Sequence, residues 1–408
     1  MSGADRVAAT DAPADGAGGS LPPSLGRLMA GKAVANTALR WVPPFLPTLE
    51  RAFGASTTQL TTILGAAEMS GLSTIAAGRH LDRGRERLIM TIGLVCIVVA
   101  SLVALVGFTF TFAVGAVLVV IGVAGATVAG HAFISHRVAY DLRARSIGIF
   151  ETSWALALLV GAPVFAVLIE LFGWRGPYVA LALSAAAIGT VIWRSPTLAA
   201  PPPGPPRAAE VEVDTDDSMR RTIGAFTPAA WCIVAGSSFV AMAGLSVFAV
   251  SGSWLDDAFG VSTGGLGAVA MGFGAVELLS SSGSAAFADR IGKLRGTVGG
   301  IALLLVGALV MTVADSTLWI GVIGILALLC GFEFAIVTSF SLVSEAVPAA
   351  RGTTIAVSSA LSTVARGTGT MAGGWLYGIH GIEGTLALSA VAATLSAAAF
   401  LAGRRAVS

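Results

Sequence analysis

Long apolar segments alternate with short polar connections over most of the chain. Each segment is close to the ~20 apolar residues that a helix needs to cross a bilayer. Uninterrupted runs indicate helices, because membrane β-strands show ten-residue stretches of alternating hydrophobicity instead. The pattern predicts twelve membrane-spanning helices, at residues 26–49, 58–78, 88–108, 112–135, 147–169, 177–194, 229–251, 262–285, 297–315, 317–343, 353–378 and 384–403.

One connection is much longer than the others and divides the twelve spans into two sets of six. It is rich in proline and then in acidic residues, so it cannot bury enough apolar surface to fold alone. The first residues are small, polar and acidic, without the apolar run of a cleavable signal peptide. We therefore predict a disordered tail (1–24), a six-helix bundle (25–196), a cytoplasmic linker (197–226) and a second six-helix bundle (227–405).

The composition agrees with a membrane protein. Hydrophobic residues make up 55% of the chain and charged residues 12%, whereas soluble domains are about 25% charged. The formal net charge of +1 favours no polyanionic partner, so we expect no nucleic acid. We expect the lipid bilayer and a small-molecule substrate as partners, and a monomer.

Basic residues are distributed unevenly between the predicted loops. Almost all of them lie on one side, and only Arg51 and Arg175 lie on the other. Basic loops stay in the cytoplasm during insertion. The distribution therefore predicts a multi-pass protein of the cell (inner) membrane with both termini and the linker in the cytoplasm.

A short motif occurs twice, about half the chain apart, which indicates an internal duplication. The first copy is GRHLDRGRER (78–87) and the second is AAFADRIGKLR (285–295), each following an apolar segment. Both place an Asp-Arg pair and further basic residues on a tight turn between helices. The motif supplies candidate conformational residues at Asp82, Arg83, Arg87, Asp289, Arg290, Gly292 and Lys293.

This repeat resembles the loop motif Gly-x-x-x-Asp-Arg-x-Gly-Arg/Lys-Arg/Lys of the major facilitator superfamily. The second copy matches at Asp289, Arg290, Gly292 and Lys293, with Ala285 in place of the first glycine. The first copy keeps Gly78, Asp82 and Arg83, but its Gly84 comes one residue early. The resemblance implies an all-α membrane protein of two pseudo-symmetric six-helix bundles, the major facilitator fold. It also implies a substrate site between the bundles and loops that latch them together on the cytoplasmic side.

Ionisable residues inside the predicted spans mark a candidate substrate and proton cavity. A charge at the bilayer centre costs about 2.5–3.5 kcal/mol, so it should face water or a partner. The third, sixth, ninth and twelfth spans have no such residue in their interiors, which predicts that these four face lipid. The candidates are Arg40, Glu68, Glu277, Glu333 and Arg366.

Two pairings are predicted among these residues. Arg40 and Glu68 have similar depth on consecutive helices, and Arg366 and Glu333 form the second pair. As an alternative, the prolines that follow Arg40 break the helix and expose its guanidinium group to the cavity. A carboxyl group that exchanges partners can load and release a proton, and we rank Glu333 first and Glu277 second for this role.

Two further features concern the cytoplasmic half of the first bundle. Glu151 is predicted to form a salt bridge with Arg83, Arg87 or Arg145, and Lys32 is predicted to extend to the membrane interface. The segment GAPVF, which contains Gly161 and Pro163, is similar to part of the Gly-Pro motif of the superfamily's drug/proton antiporters. A simple proline kink is the alternative.

The leading functional hypothesis is a secondary active transporter that works by alternating access. No nucleophile–base pair, metal-ligand spacing or ATP-binding loop occurs, so we expect no enzyme, metal or cofactor and suspect the proton gradient as energy source. Within that hypothesis we favour proton-coupled export of a small amphipathic compound. The alternatives are a carrier of organic anions (carboxylates) that uses Arg40 and Arg366, and a non-transporting membrane sensor.

Overall fold

The computed structural model describes residues 23–73, 80–81, 83–138, 140–199, 224, 226–314 and 317–406. Side chains are described at these residues except 140, 141, 144, 285–289 and 349. Most of the predicted tail (1–24) and linker (197–226) lies outside the described residues, as do Asp82 and the side chain of Asp289. We call residues 23–199 the N-half and residues 226–406 the C-half.

The described residues are almost entirely helical. Within the described part of the chain, nine helices are long and apolar enough to cross a membrane, with Arg145–Phe172 and Arg351–Ala406 each taken as one. In chain order the helices are α1 Pro23–Arg40, α2 Leu46–Phe53, α3 Thr57–Glu68, α4 Glu86–Ala104, α5 Thr109–Arg137, α6 Tyr140–Leu159, α7 Gly161–Phe172, α8 Arg175–Trp193, α9 Pro196–Ala199, α10 Pro228–Phe259, α11 Thr263–Ile291, α12 Lys293–Thr312, α13 Leu318–Glu345 and α14 Arg351–Ala402.

The first predicted span is broken rather than continuous. Helix α1 ends at Arg40, and turns occupy residues 41–45 before α2 begins. Pro43 and Pro44 lack the N–H that a helix interior requires and their rings clash with the preceding turn. The break leaves Arg40 at a helix end inside the bundle.

Glycines with positive φ place the sharp turns. Gly381 has φ 62° and ψ −155° and divides α14 between the predicted eleventh and twelfth spans. Gly84 and Gly292, with φ of 69° and 90°, stand just before α4 and α12 in the two copies of the repeat. Only glycine adopts such angles without strain, which explains why both copies contain one.

The two halves meet where glycines allow backbones to touch. A Cβ on Gly65 of α3 would lie 2.4 Å from the carbonyl oxygen of Gly367 on α14. A Cβ on Gly274 of α11 would lie 2.3 Å from the nitrogen of Leu159 on α6. These helix pairs, α3 with α14 and α6–α7 with α11, form most of the contact between the halves.

Outside the middle of the bundle, the polar contacts between the halves that involve described residues lie at one end. Arg51 Nη1 lies 2.9 Å from Asp256 Oδ2, and Ser253 Oγ donates to Glu50 Oε1 at 2.7 Å. Both contacts lie at the end opposite to the start of α1, which we call the far side. No side-chain hydrogen bond or ion pair between two described residues joins the halves at the other end, the terminal side. The halves are therefore sealed on the far side.

Gly65→Ala should separate α3 from α14, because the added Cβ would meet the Gly367 carbonyl oxygen and Met371 Cγ at 2.4 Å. We expect the far side to open. Spin labels on Phe110→Cys and Trp319→Cys, two exposed positions at the far ends of α5 and α13, would then move apart by several Å, roughly the scale of domain rearrangements in proteins.

The matched control for that measurement is Gly283→Ala, because no atom lies within 4 Å of its added Cβ. Both variants are compared in a background without the three native cysteines. Equal label distances in the two variants would contradict a seal made by backbone contact.

Candidate functional site

A cavity lies in the middle of the bundle where the halves meet, and it encloses about 1050 Å³ of empty space, including open solvent. Its wall is mostly apolar. Four of the five predicted cavity residues line it, and they are its charged residues: Arg40, Glu68, Glu277 and Arg366.

The first ion pair joins Arg40 of the N-half to Glu277 of the C-half. Arg40 Nη1 donates to Glu277 Oε2 at 2.6 Å, and Nη2 donates to Oε1. Only 4% and 3% of the two side chains are exposed. Nη1 also donates to the backbone oxygen of Trp154 at 2.9 Å, and the guanidinium carbon lies 4.2 Å from the Trp154 ring centre. The bidentate geometry is the strongest form of such a pair.

The second ion pair also crosses between the halves. Arg366 Nη2 of α14 lies 2.8 Å from Glu68 Oε2 at the end of α3. This pair is less buried than the first, with 31% of Arg366 and 14% of Glu68 exposed.

The predicted pairs Arg40–Glu68 and Glu333–Arg366 are therefore wrong. Backbone contact between α3 and α14 brings Glu68 to Arg366. The break after Arg40 leaves its guanidinium group free to reach α11. The predicted partners have similar depths on neighbouring helices, but depth did not determine the pairs. Each arginine instead pairs with a carboxylate of the opposite half.

Glu333 is buried close to this site but is not part of the cavity wall. It is 7% exposed, and its Oε1 accepts a hydrogen bond of 2.8 Å from Ser281 Oγ. Among the described residues no Lys, Arg or His lies within ion-pair distance of it. Ser281 stands one helical turn after Glu277 on α11, so Glu333 and the Arg40 pair are linked through one helix.

A separate cluster surrounds Glu151 in the N-half. Its Oε1 accepts from Lys32 Nζ at 2.6 Å and from His131 Nε2 at 2.7 Å. Lys32 is only 1% exposed, and its Nζ lies 4.3 Å from the centre of the Phe150 ring. The prediction that Lys32 extends to the interface is wrong, because this carboxylate holds it inside the bundle.

The predicted partners of Glu151 were also wrong, although its role in a salt bridge was right. Arg87 instead donates to the backbone oxygen of Trp193 at 3.0 Å and stacks on its ring. Arg83 is exposed. Both arginines belong to the loop and the first turn of α4, whereas Glu151 pairs deeper in the bundle.

The repeated loops contact only their own halves, as far as their described residues go. Lys293 Nζ lies 2.5 Å from Glu345 Oε1 in the C-half, and Gly292 begins the turn before it. Arg290 is exposed. Because Asp82 and the Asp289 side chain lie outside the described residues, a latch between the halves stays a prediction.

The expectation that the third and sixth spans face only lipid is wrong. Ala100, Ser101 and Ala104 of α4 and Tyr178 and Leu181 of α8 line the cavity. Sequence reasoning missed them because it followed charges, and these positions are uncharged. Within the described residues, no group of three or more His, Cys, Asp or Glu side chains is arranged to hold a metal ion.

Comparison with solved structures gives matches along nearly the whole chain. A bacterial homologue of the human lysosomal transporter Spinster, in an inward-facing and occupied conformation, matches with a TM-score of 0.74 and 17% identity. The match covers 95% of this chain and 98% of that one. A D-xylose-proton symporter matches with a TM-score of 0.71 and 13% identity, over 91% of this chain and 96% of that one.

Identities this low show the shared fold alone. A search of curated proteins found no significant sequence match. The family model "Major Facilitator Superfamily" matches residues 28–236, slightly more than half of the chain. With the helical membrane architecture described above, this match shows that the chain is a multi-pass membrane transporter that belongs to the major facilitator superfamily.

Proposed function

We propose that this protein is a proton-coupled secondary transporter that exports a small amphipathic compound, neutral or cationic. The observation that carries the proposal is the apolar cavity in which each arginine is neutralised by a carboxylate of the opposite half. An apolar wall favours the hydrophobic part of a substrate. The charged residues at the same site contact the polar part of the substrate and couple its transport to protonation.

The ion pairs explain how transport and protonation are connected. Alternating access moves the two halves relative to each other around the site, so bonds between the halves must change. Leaving one member of a buried pair without its partner costs about 3–5 kcal/mol. A proton on the carboxylate, or a charged group of the substrate, removes part of this cost.

Glu333 is the proton site that we propose. It is buried, it has no basic partner among the described residues, and Ser281 connects it to the helix that carries Glu277. The D-xylose-proton symporter shares this fold, which supports proton coupling as an energy source that the architecture can use.

The charge balance favours neutral or cationic substrates over anions. The cavity wall holds two arginines and two glutamates, and each arginine is already paired. The nearby Glu333 adds a carboxyl group that no Lys, Arg or His of the described residues pairs with. An anion would have to displace a carboxylate from its arginine before it could bind.

The orientation that we propose places both termini in the cytoplasm of a cell with this protein in its inner membrane. The excess of basic residues in loops on the terminal side supports it. In this orientation the far side, where Arg51 pairs with Asp256, faces outward, and an exporter would load its substrate from the terminal side.

The Arg40–Glu277 pair generates a stability prediction. Arg40→Met should lower the free energy of unfolding by about 3–5 kcal/mol, because it leaves Glu277 charged and buried. Arg40→Met combined with Glu277→Gln should cost much less than the sum of the single changes. Arg51→Met, which removes a pair at an exposed position, is the control and should cost less than about 1 kcal/mol. Additive effects at Arg40 and Glu277, measured by denaturant unfolding in detergent, would contradict the pairing.

Glu333→Gln should abolish accumulation driven by a pH gradient while downhill exchange of substrate continues, because the amide cannot carry the proton. Gradient-driven accumulation is measured in proteoliposomes with an imposed pH gradient. Downhill exchange is measured by counterflow at equal pH on both sides of the membrane. The matched control is Glu383→Gln, since Glu383 is exposed and lies far from the cavity on α14. Gradient-driven accumulation that persists in Glu333→Gln would rule out this proton site.

The organic-anion alternative predicts a different outcome with the same vesicles. If the arginines bind substrate carboxylates, Arg40→Ala and Arg366→Ala should abolish carboxylate flux while Glu333→Gln leaves it intact. Our proposal expects wild-type vesicles to move cationic and neutral amphiphiles at least about tenfold faster than carboxylates, a difference of roughly 1.4 kcal/mol. Faster transport of carboxylates than of cationic and neutral amphiphiles at every pH would contradict the proposal.

A further inference from the structure

The cavity is not shared equally between the two halves. Most of its wall comes from the N-half, including α4, α5 and α8, whereas the C-half supplies a smaller face. The part that extends away from the ion pairs into the N-half is lined by Trp41, Ala100, Ala104, Phe112, Ala116 and Tyr178. We call this part the N-half branch.

Two features of the sequence create the branch. The first span is broken at residues 41–45, where turns that include Trp41 replace the helix. The facing walls carry small residues, Ala100 and Ala104 on α4 and Ala116 on α5. Larger side chains at these positions would occupy the space.

The corresponding helices of the C-half are in closer contact at their glycines. A Cβ on Gly307 of α12 would lie 2.3 Å from the nitrogen of Leu328 on α13, and one on Gly331 would lie equally close to the nitrogen of Leu304. In the N-half, α4 and α5 are in similar contact at Gly122 and Gly93, but the spacing widens toward the branch, where a Cβ on Gly115 would lie 3.2 Å from the Ala100 oxygen.

The lining indicates what the branch can bind. Trp41 and Tyr178 pack edge to face with their ring centres 5.2 Å apart, and the remaining wall is aliphatic or aromatic. Tyr178 is 6% exposed, and its hydroxyl forms no hydrogen bond with any other described residue. The lining therefore suits an apolar group.

We propose that the N-half branch binds the bulky apolar group of an amphiphilic cation, whose charged group then lies beside the two ion pairs. This inference rests on the proposed export function and adds a size requirement to it. Large aromatic or alkyl groups should gain affinity from the branch, and a small cation without such a group should not. Burial of apolar surface is the physical source of that gain.

The test compares ethidium, a large aromatic cation, with tetramethylammonium, a small one. Ala116→Phe fills the branch from α5, and Ala104→Leu fills it from α4. The control is Ala187→Phe, at an exposed position of α8 on the same helix face as Leu183, which is 67% exposed. Ethidium binding is measured by fluorescence anisotropy in detergent, and tetramethylammonium transport is measured in vesicles with a pH gradient.

We expect both filling variants to bind ethidium at least about tenfold more weakly than wild type, the consequence of excluding an aromatic ring from an apolar site. Tetramethylammonium transport should change less than ethidium affinity does, and elution of each variant as a single symmetric peak in detergent shows that it is folded. Ethidium affinity that is the same in wild type, both filling variants and Ala187→Phe would overturn the branch as a binding site and leave the transport proposal standing. Wild-type protein that transports neither cation would overturn the proposed function together with this inference.

Discussion

A charge inside a bilayer must have a partner, and in this protein the partners of the two cavity arginines come from the opposite half of the chain. Arg40 with Glu277 and Arg366 with Glu68 hold the two halves together at the level of the cavity. Glycine contacts between α3 and α14 set the distance at which the second pair can form. The charge balance of the central cavity and the proposed coupling both depend on this cross-pairing.

The break in the first helix helps the cross-pairing to form. A continuous helix through residues 41–45 would keep the Arg40 backbone carbonyl in its own hydrogen-bond ladder and fill space beside the cavity. Pro43 and Pro44 prevent this. The same two prolines therefore allow the Arg40 guanidinium group to reach α11. They also leave space for the N-half branch, so one local feature determines both an ion pair and the shape of the cavity.

Much of the fold follows from the sequence, because apolar length, loop charge and an internal repeat are local properties. The break at Pro43 and Pro44 and the turn near Gly381 were also within reach of local rules. The partners of Arg40, Glu68 and Glu151 were not, because pairing depends on which helices meet across the bundle. The cavity surface of α4 was missed for another reason. Ala100 and Ala104 leave space because their side chains are small, and a hydropathy pattern does not report side-chain size.

The two halves arise from a duplicated pattern, yet their chemistry has diverged. In the C-half, glycines bring α12 and α13 into backbone contact, while Glu333 is buried and has no basic partner among the described residues. In the N-half, alanines keep α4 and α5 farther apart beside the branch, and Lys32 neutralises Glu151. A symmetric pair of bundles would offer two equal sites for substrate and two for protons. Under the proposed function these differences place apolar binding in one half and protonation in the other, with the ion pairs between the halves as the coupling element.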